Sequence, residues 1–192
     1  RLASAGWSIS LGSRDMQRAR DAAESLGMRV TGVSNEDACA NDGVVVAVPW
    51  HAHRETLATL APHLAGRVVI DAVNPLGFDS RGPFALRPKA GSAAEEAVAL
   101  LPLSTVVGAF HHLSSELMLT DAPLDSDVLV LGDDRAAIGR VIALIDSIEG
   151  LRGVYAGRTR NAGQVESLTA NLIAINRRYG IQAGIRVTGL PN

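Results

Sequence analysis

The segment Val44-Val45-Val46-Ala47-Val48 is an uninterrupted apolar run that Pro49-Trp50 stops abruptly, and it limits the fold more than any other feature of the chain. A strand with one wet face alternates apolar and polar residues; a strand apolar throughout must be covered on both faces. Similar runs at Arg67 to Ile70, Thr105 to Ala109, Asp127 to Leu131 and Leu151 to Tyr155 alternate with helix-forming segments. Those segments run from about Ala52 to Leu64, from Ser92 with its capping partner Glu95 to Leu101, and from Asp134 to Ile148. Strands and helices in alternation make a mostly parallel sheet wrapped by helices.

Upstream, Trp7 to Leu11 reads as a strand, Gly12-Ser13-Arg14-Asp15 as a tight turn, the stretch to Gly27 as a helix, and Asn35 to Ala40 as a short helix. Arg1 to Gly6 resembles the last turns of a helix closed by a glycine. The expected architecture is a Rossmann-type, doubly wound α/β sheet with a C-terminal helical extension from about Ala162 to Tyr179, its first strand and Gly-rich loop lying ahead of Arg1. Residues 1–155 form the nucleotide-binding part on this reading and 156–192 a helical segment completing the substrate site. Leu76 to Ala90, rich in Gly, Pro and Arg, is predicted to be loop.

Length and charge exclude several classes. A chain of 192 residues buries enough surface to need no staple, and Cys39 alone permits neither a disulfide nor a cysteine zinc cluster; a small buried apolar role is expected for it. A net charge of -2 exerts no pull toward nucleic acid or anionic membrane, and no segment has the roughly 20 apolar residues of a membrane helix. The expectation is a cytoplasmic protein without nucleic-acid or membrane partners. Of the 18 basic residues 17 are Arg, which fits an Arg-rich bacterial proteome.

In sheets of this kind ligands bind beyond the carboxyl ends of the strands. The end of the strand that meets the adenosine ribose carries Ser13 and Arg14 where an NAD enzyme has an acidic residue, and Arg18 follows one helical turn later. A hydroxyl and forked guanidinium groups suit the 2'-phosphate of NADP; a Ser helix cap beside solvated arginines is the equal alternative. His51, His53 and His63 lack the spacing of a metal site and are expected at the surface or at a cap. Asn74-Pro75 and His111-His112 follow strands at the binding edge, where a histidine nitrogen or backbone N–H can meet a bound carbonyl. No Gly-x-Ser-x-Gly elbow is present, which leaves Ser114 and Ser115 weak as nucleophiles.

Taken in order, Gly12-Ser13-Arg14, Val48-Pro49-Trp50, Asp71-Ala72-Val73-Asn74-Pro75-Leu76, Gly108-Ala109-Phe110-His111-His112, Gly132-Asp133-Asp134 and Val165-Glu166-Ser167-Leu168-Thr169 resemble the NADPH-dependent coenzyme F420 reductases, whose fold the cytosolic domain of STEAP ferric reductases shares. The resemblance implies that Ser13, Arg14 and Arg18 hold the 2'-phosphate and that Pro49 and Trp50 line the dinucleotide cleft, with Asn74 and Pro75 at the next strand end. It places His111, Leu113 and Ser115 by the stacked nicotinamide and deazaflavin rings, with His111 the one candidate for a direct catalytic contact, and Ser167 and Thr169 near the deazaflavin. It further implies hydride transfer between NADP(H) and coenzyme F420 as small-molecule carriers, in a homodimer. Where these reductases usually carry an arginine this chain has Gly163, with Arg158 and Arg160 in the same loop. The open alternatives are a reductase of the same superfamily acting on a flavin, quinone or small organic acceptor, and a non-catalytic NADP-binding pseudo-enzyme.

Overall fold

A computed structural model describes residues 1–190. From the N-terminus it contains β1 (Ile9–Ser13), α1 (Met16–Leu26), β2 (Val30–Ser34), α2 (Asn35–Ala38), β3 (Gly43–Val46), α3 (Trp50–Leu64) and β4 (Val68–Asp71). There follow β5 (Leu76–Asp79), β6 (Gly82–Ala85), α4 (Ala93–Leu100), β7 (Thr105–Gly108), α5 (Ser115–Met118), β8 (Ser126–Gly132), α6 (Arg135–Asp146), β9 (Leu151–Gly157) and α7 (Ala162–Tyr179). β1 and β2 pair in parallel, and a five-stranded sheet runs in the order β3-β4-β7-β8-β9. Its one antiparallel junction lies between β7 and β8, so the sheet is mostly parallel, as the apolar runs require.

Period-two alternation sorts the strand residues onto two faces. Val46, Val69 and Val106 meet Leu57, Leu60 and Leu64 of α3 and Ala93 and Ala97 of α4. On the other face Val68, Ile70, Val107, Val128 and Val130 meet Ala137, Ile138, Val141 and Ile145 of α6. Cys39 is buried in the first of these cores. Asp71 lies two residues beyond Val69 and therefore points toward α3, a placement that shapes the site below.

Helix ends follow their side chains. Asp15 accepts from the N–H groups of Gln17 and Arg18, Ser92 from that of Glu95 and Asp134 from that of Ala137, each satisfying a backbone donor that the first turn leaves free. Residues 76–85 differ from the sequence expectation: they form the β5–β6 hairpin, not a loop. Its strands are only four residues long and carry Gly77, Gly82 and Pro83, which erases the apolar alternation, and the hairpin is held by packing against α7. No helix among the described residues is long and apolar enough to cross a membrane.

Candidate functional site

Two concavities open along the sheet edge. The smaller, about 320 Å³, lies where β1 ends and α1 and α3 begin, with Ser13, Arg14, Arg18 and Pro49 on its wall. Arg14 and Arg18 are exposed, without a protein ion-pair partner within 4 Å among the described residues, while the Ser13 hydroxyl accepts from the Asp15 N–H at 3.1 Å. Two unpaired guanidinium groups and a hydroxyl, beside the positive end of α1, form a donor set for a phosphate. Trp50 differs from its expected place. It opens α3 half-buried, packs on the core, and sets its ring 5.4 Å from that of His53, tilted by 32°, and it is not on the wall of this recess.

The larger cavity, about 800 Å³, is walled by the ends of β3 and β4, the segment after β7, and α7. Asn74, His111, Leu113, Ser115 and Thr169 all reach it. Pro75 is buried and Ser167 half-buried on α7, and neither is on its wall. Asn74 Nδ2 donates to the His111 carbonyl at 2.6 Å and Thr169 Oγ1 donates to the same oxygen at 3.0 Å. Both polar side chains thus hold the backbone of the segment after β7. Phe110 just before it has φ +65°, a left-handed conformation that costs a bulky residue about 1 kcal/mol or more and persists only where its surroundings enforce it.

The His111 ring lies beneath the cavity floor, 2% exposed. Its two nitrogens have no hydrogen-bond partner among the described residues. Burial pushes its pKa down to about 4, outweighing the pull of Asp71, so the ring is neutral near pH 7. A Cβ on Gly108 would stand 3.0 Å from His111 Nε2, which is why the strand ends in glycine under this ring. His112, also buried, accepts the Leu129 N–H on Nε2 at 3.2 Å and ties the segment to β8.

Behind the cavity lies a buried polar centre that the sequence reading missed. His53, expected at the surface, is fully buried: Nε2 is 2.7 Å from Asp71 Oδ2 and Nδ1 3.1 Å from Glu96 Oε1. Burial lowers its pKa, yet the two carboxylates outweigh it and the net direction is upward. Arg54 pairs with the second oxygen of Glu96. The signal was present in the chain, since His53, Leu57, Leu60 and Leu64 follow the i, i+4, i+7, i+11 stripe of a core-facing helix.

Glu166 of α7 completes the centre. It accepts the N–H groups of Ala93 and Ala94 at the start of α4, at 2.9 and 3.1 Å. Burial pushes its carboxyl up to about 7, although those two bonds favour the ionised form. A folded-state pKa raised above the ordinary 4.5 supplies stability present below that value and lost as pH rises through about 7. Relative to Glu166→Gln, which does not ionise, the wild type should lose up to about 3 kcal/mol across that window. Paired thermal melts at several pH values check this; a pH-independent difference would contradict it.

Gly163, the second residue of α7, and the arginines ahead of it stand apart from the larger cavity. A Cβ on Gly163 would lie 3.0 Å from the Gly91 carbonyl oxygen, so the position faces the α4 entry loop. Arg158 lies 3.8 Å from Asp133, and neither Arg158 nor Arg160 is on the cavity wall. Arg177 of α7 is, and among the described residues it is the only Lys or Arg there.

Residues 1–75 match the family model described as NADP oxidoreductase, coenzyme F420-dependent. The chain is 36% identical over 206 residues to the F420-dependent NADP reductase of Methanothermobacter thermautotrophicus, covering all of this chain and 88% of that protein. The chain belongs to the F420-dependent NADP reductase family. The homologous reductase of Methanocaldococcus jannaschii is 32% identical, over 95% of this chain and 88% of its own. In fold, the chain is similar to a solved structure from Arthrobacter sp. FB24 proposed to be an F420-dependent NADP reductase, with a TM-score of 0.80 at 24% identity, over 97% of this chain and 91% of that one.

Proposed function

We propose that the protein transfers a hydride between NADP(H) and the deazaflavin coenzyme F420, with Ser13, Arg14 and Arg18 taking the 2'-phosphate and the larger cavity taking the deazaflavin. The observation that carries this reading is the pairing of a phosphate-suited donor set with a mostly apolar cavity along one sheet edge, in a chain of this family. When bound, the two carriers supply the redox chemistry, a hydride passing between nicotinamide C4 and deazaflavin C5. The protein's share is to bind, orient and exclude water.

Each side chain has a part that fits its surroundings. Leu113, Leu172 and Ile173 offer flat apolar wall, Asn74 and Thr169 hold the His111 carbonyl in place, and Ser115 and Arg177 supply polar contacts. Neutral His111 is suited to orienting a ring carbonyl and unsuited to giving up a proton near pH 7. Because Arg177 is the cavity's only guanidinium among the described residues, it is the counterpart for any anionic group on the acceptor. Arg177→Ala should raise the KM for F420 about tenfold while leaving the KM for NADPH within about twofold, since an interaction to a charged group is worth about 1.5–3 kcal/mol before solvent screening reduces it. Steady-state kinetics with each substrate varied in turn tests it.

We further infer that the protein works in the bacterial cytoplasm as a homodimer; exposed Leu168, Ile175, Tyr179 and Ile181 on and after α7 support a second copy docking there. The direct test of function is anaerobic mixing with NADPH and oxidised F420, with NADH and FMN as controls. Bleaching of the deazaflavin band with NADPH supports the assignment; NADPH binding without bleaching, or reduction of FMN alone, refutes it.

A further inference from the structure

The two concavities are separate in sequence, yet hydride transfer requires a dinucleotide anchored by its 2'-phosphate in the smaller one to bring its nicotinamide into register with the acceptor in the larger one. The buried polar centre lies behind both. His53 sits on the first turn of α3, whose N-cap Pro49 borders the smaller recess, and its ring lies tilted against that of Trp50, 5.4 Å away between centroids. Its Nε2 meets Asp71, whose other carboxylate oxygen accepts the Val73 N–H at 3.0 Å. The turn so held presents Asn74 to the His111 carbonyl in the larger cavity. Ionised carboxylates only accept hydrogen bonds, and with a carboxyl group facing each ring nitrogen the geometry suits His53 as a donor on both sides. The acidic groups around it are Asp71, Glu96 and Glu166, the cationic neighbour is Arg54, and neutral His111 also feels the Asp71 carboxylate.

We propose that His53 is a positioning residue that registers the two recesses against each other, by tying the Pro49–Trp50 entry of α3 to the Asp71–Asn74 turn and through it to the His111 carbonyl. The inference rests on the function proposed above. His53 never touches the carriers; it determines where the floor of one recess lies relative to the wall of the other. A small misplacement of this kind lowers the rate of transfer far more than the affinity for either carrier, by as much as a hundredfold per ångström.

The expected result for His53→Gln, which can donate to only one carboxylate at a time, is a fall in kcat of about 10- to 100-fold per NADPH-binding site, with both KM values within about twofold. Counting sites by NADPH titration removes any loss due to unfolded protein. The double variant His53→Gln/Asp71→Asn should be no worse than the poorer single variant, because the two residues act as one unit. In ¹⁵N–¹H spectra of the protein without carriers, the amides of Val73, Asn74 and His111 should shift in His53→Gln. Should that variant not fold, Glu96→Gln removes one of the two carboxylates and should give smaller changes at the same amides. Unchanged kcat, a loss confined to KM, additive double-variant effects, or shifts limited to α3 and α4 would each overturn the proposal. If the unaltered protein moves no hydride between NADPH and F420, the functional reading fails, and the amide shifts still decide whether His53 couples the recesses.

Discussion

Replacing Arg14 and Arg18 together by alanine should lower kcat/KM for NADPH by about 100-fold and leave kcat/KM for NADH nearly unchanged. Both guanidinium groups stand at the smaller recess without an ion-pair partner among the described residues. Their removal therefore breaks no internal ion pair and should leave the melting temperature within a degree or two. Each charge-assisted bond to a phosphate is worth about 1.5–3 kcal/mol in a desolvated setting, and exposure reduces the pair to about 3 kcal/mol in sum. The loss should appear mainly in KM, since the 2'-phosphate is remote from the reacting carbon and is held equally in ground and transition states. Equal losses with NADPH and NADH would mean that the two arginines serve the whole dinucleotide or the fold, and would remove the basis for choosing NADP.

Asp127→Asn should be the most destabilising single change away from the cavities. Asp127, at the start of β8, is fully buried and receives two bonds of 2.8 Å from Arg152, one of 2.8 Å from Arg186, and the Val187 N–H at 2.7 Å. It thereby fastens the segment after α7 across the lower end of the sheet, where the Asp127 N–H donates to the Ile185 carbonyl. The arginine side chains are 31% and 45% exposed and can regain water when the carboxylate is lost, so the cost is about 2 kcal/mol, or several degrees in melting temperature. The Arg152 guanidinium, foremost among its partners, holds the Asp127 carboxyl far below the usual carboxylate range, against the effect of burial. A depressed folded-state pKa supplies stability present above the unfolded value of about 4 and lost as pH falls below it. The difference between wild type and Asp127→Asn should accordingly shrink in acid, and a difference that grew there would contradict the assignment. Thermal melts between neutral pH and about pH 3 decide it.

What could be read from the residues follows a physical division. From β3 onward most strands and helices were legible because apolar runs and capping residues are local signals, and the last helix, expected from about Ala162 to Tyr179, spans Ala162–Tyr179; β2 was missed, its five residues being interrupted by Thr31 and Gly32. The antiparallel entry of β8 was not, because strand direction depends on partners far away in the chain. The β5–β6 hairpin was hidden by its glycines and proline, and α5 by its four-residue length. At the site, Asn74 and His111, singled out by their position after strands, and Leu113, implied by the family resemblance, reach the larger cavity. Their partners were not found, because carboxylates are expected outside. Asp71, Glu96 and Glu166 instead point inward, where His53 and the N–H groups at the start of α4 compensate them. Only the stripe from His53 to Leu64 carried a hint.

The central claim is direct hydride transfer between the two carriers, and isotope tracing tests it most directly. The protein would be mixed anaerobically with oxidised F420 and NADPH carrying deuterium at C4, one diastereomer at a time, and the reduced F420 examined by mass spectrometry. One diastereomer is expected to deliver its deuterium to the reduced deazaflavin and the other to retain it. Reduced F420 free of deuterium with both, or no reduction at all despite bound NADPH, would contradict the account.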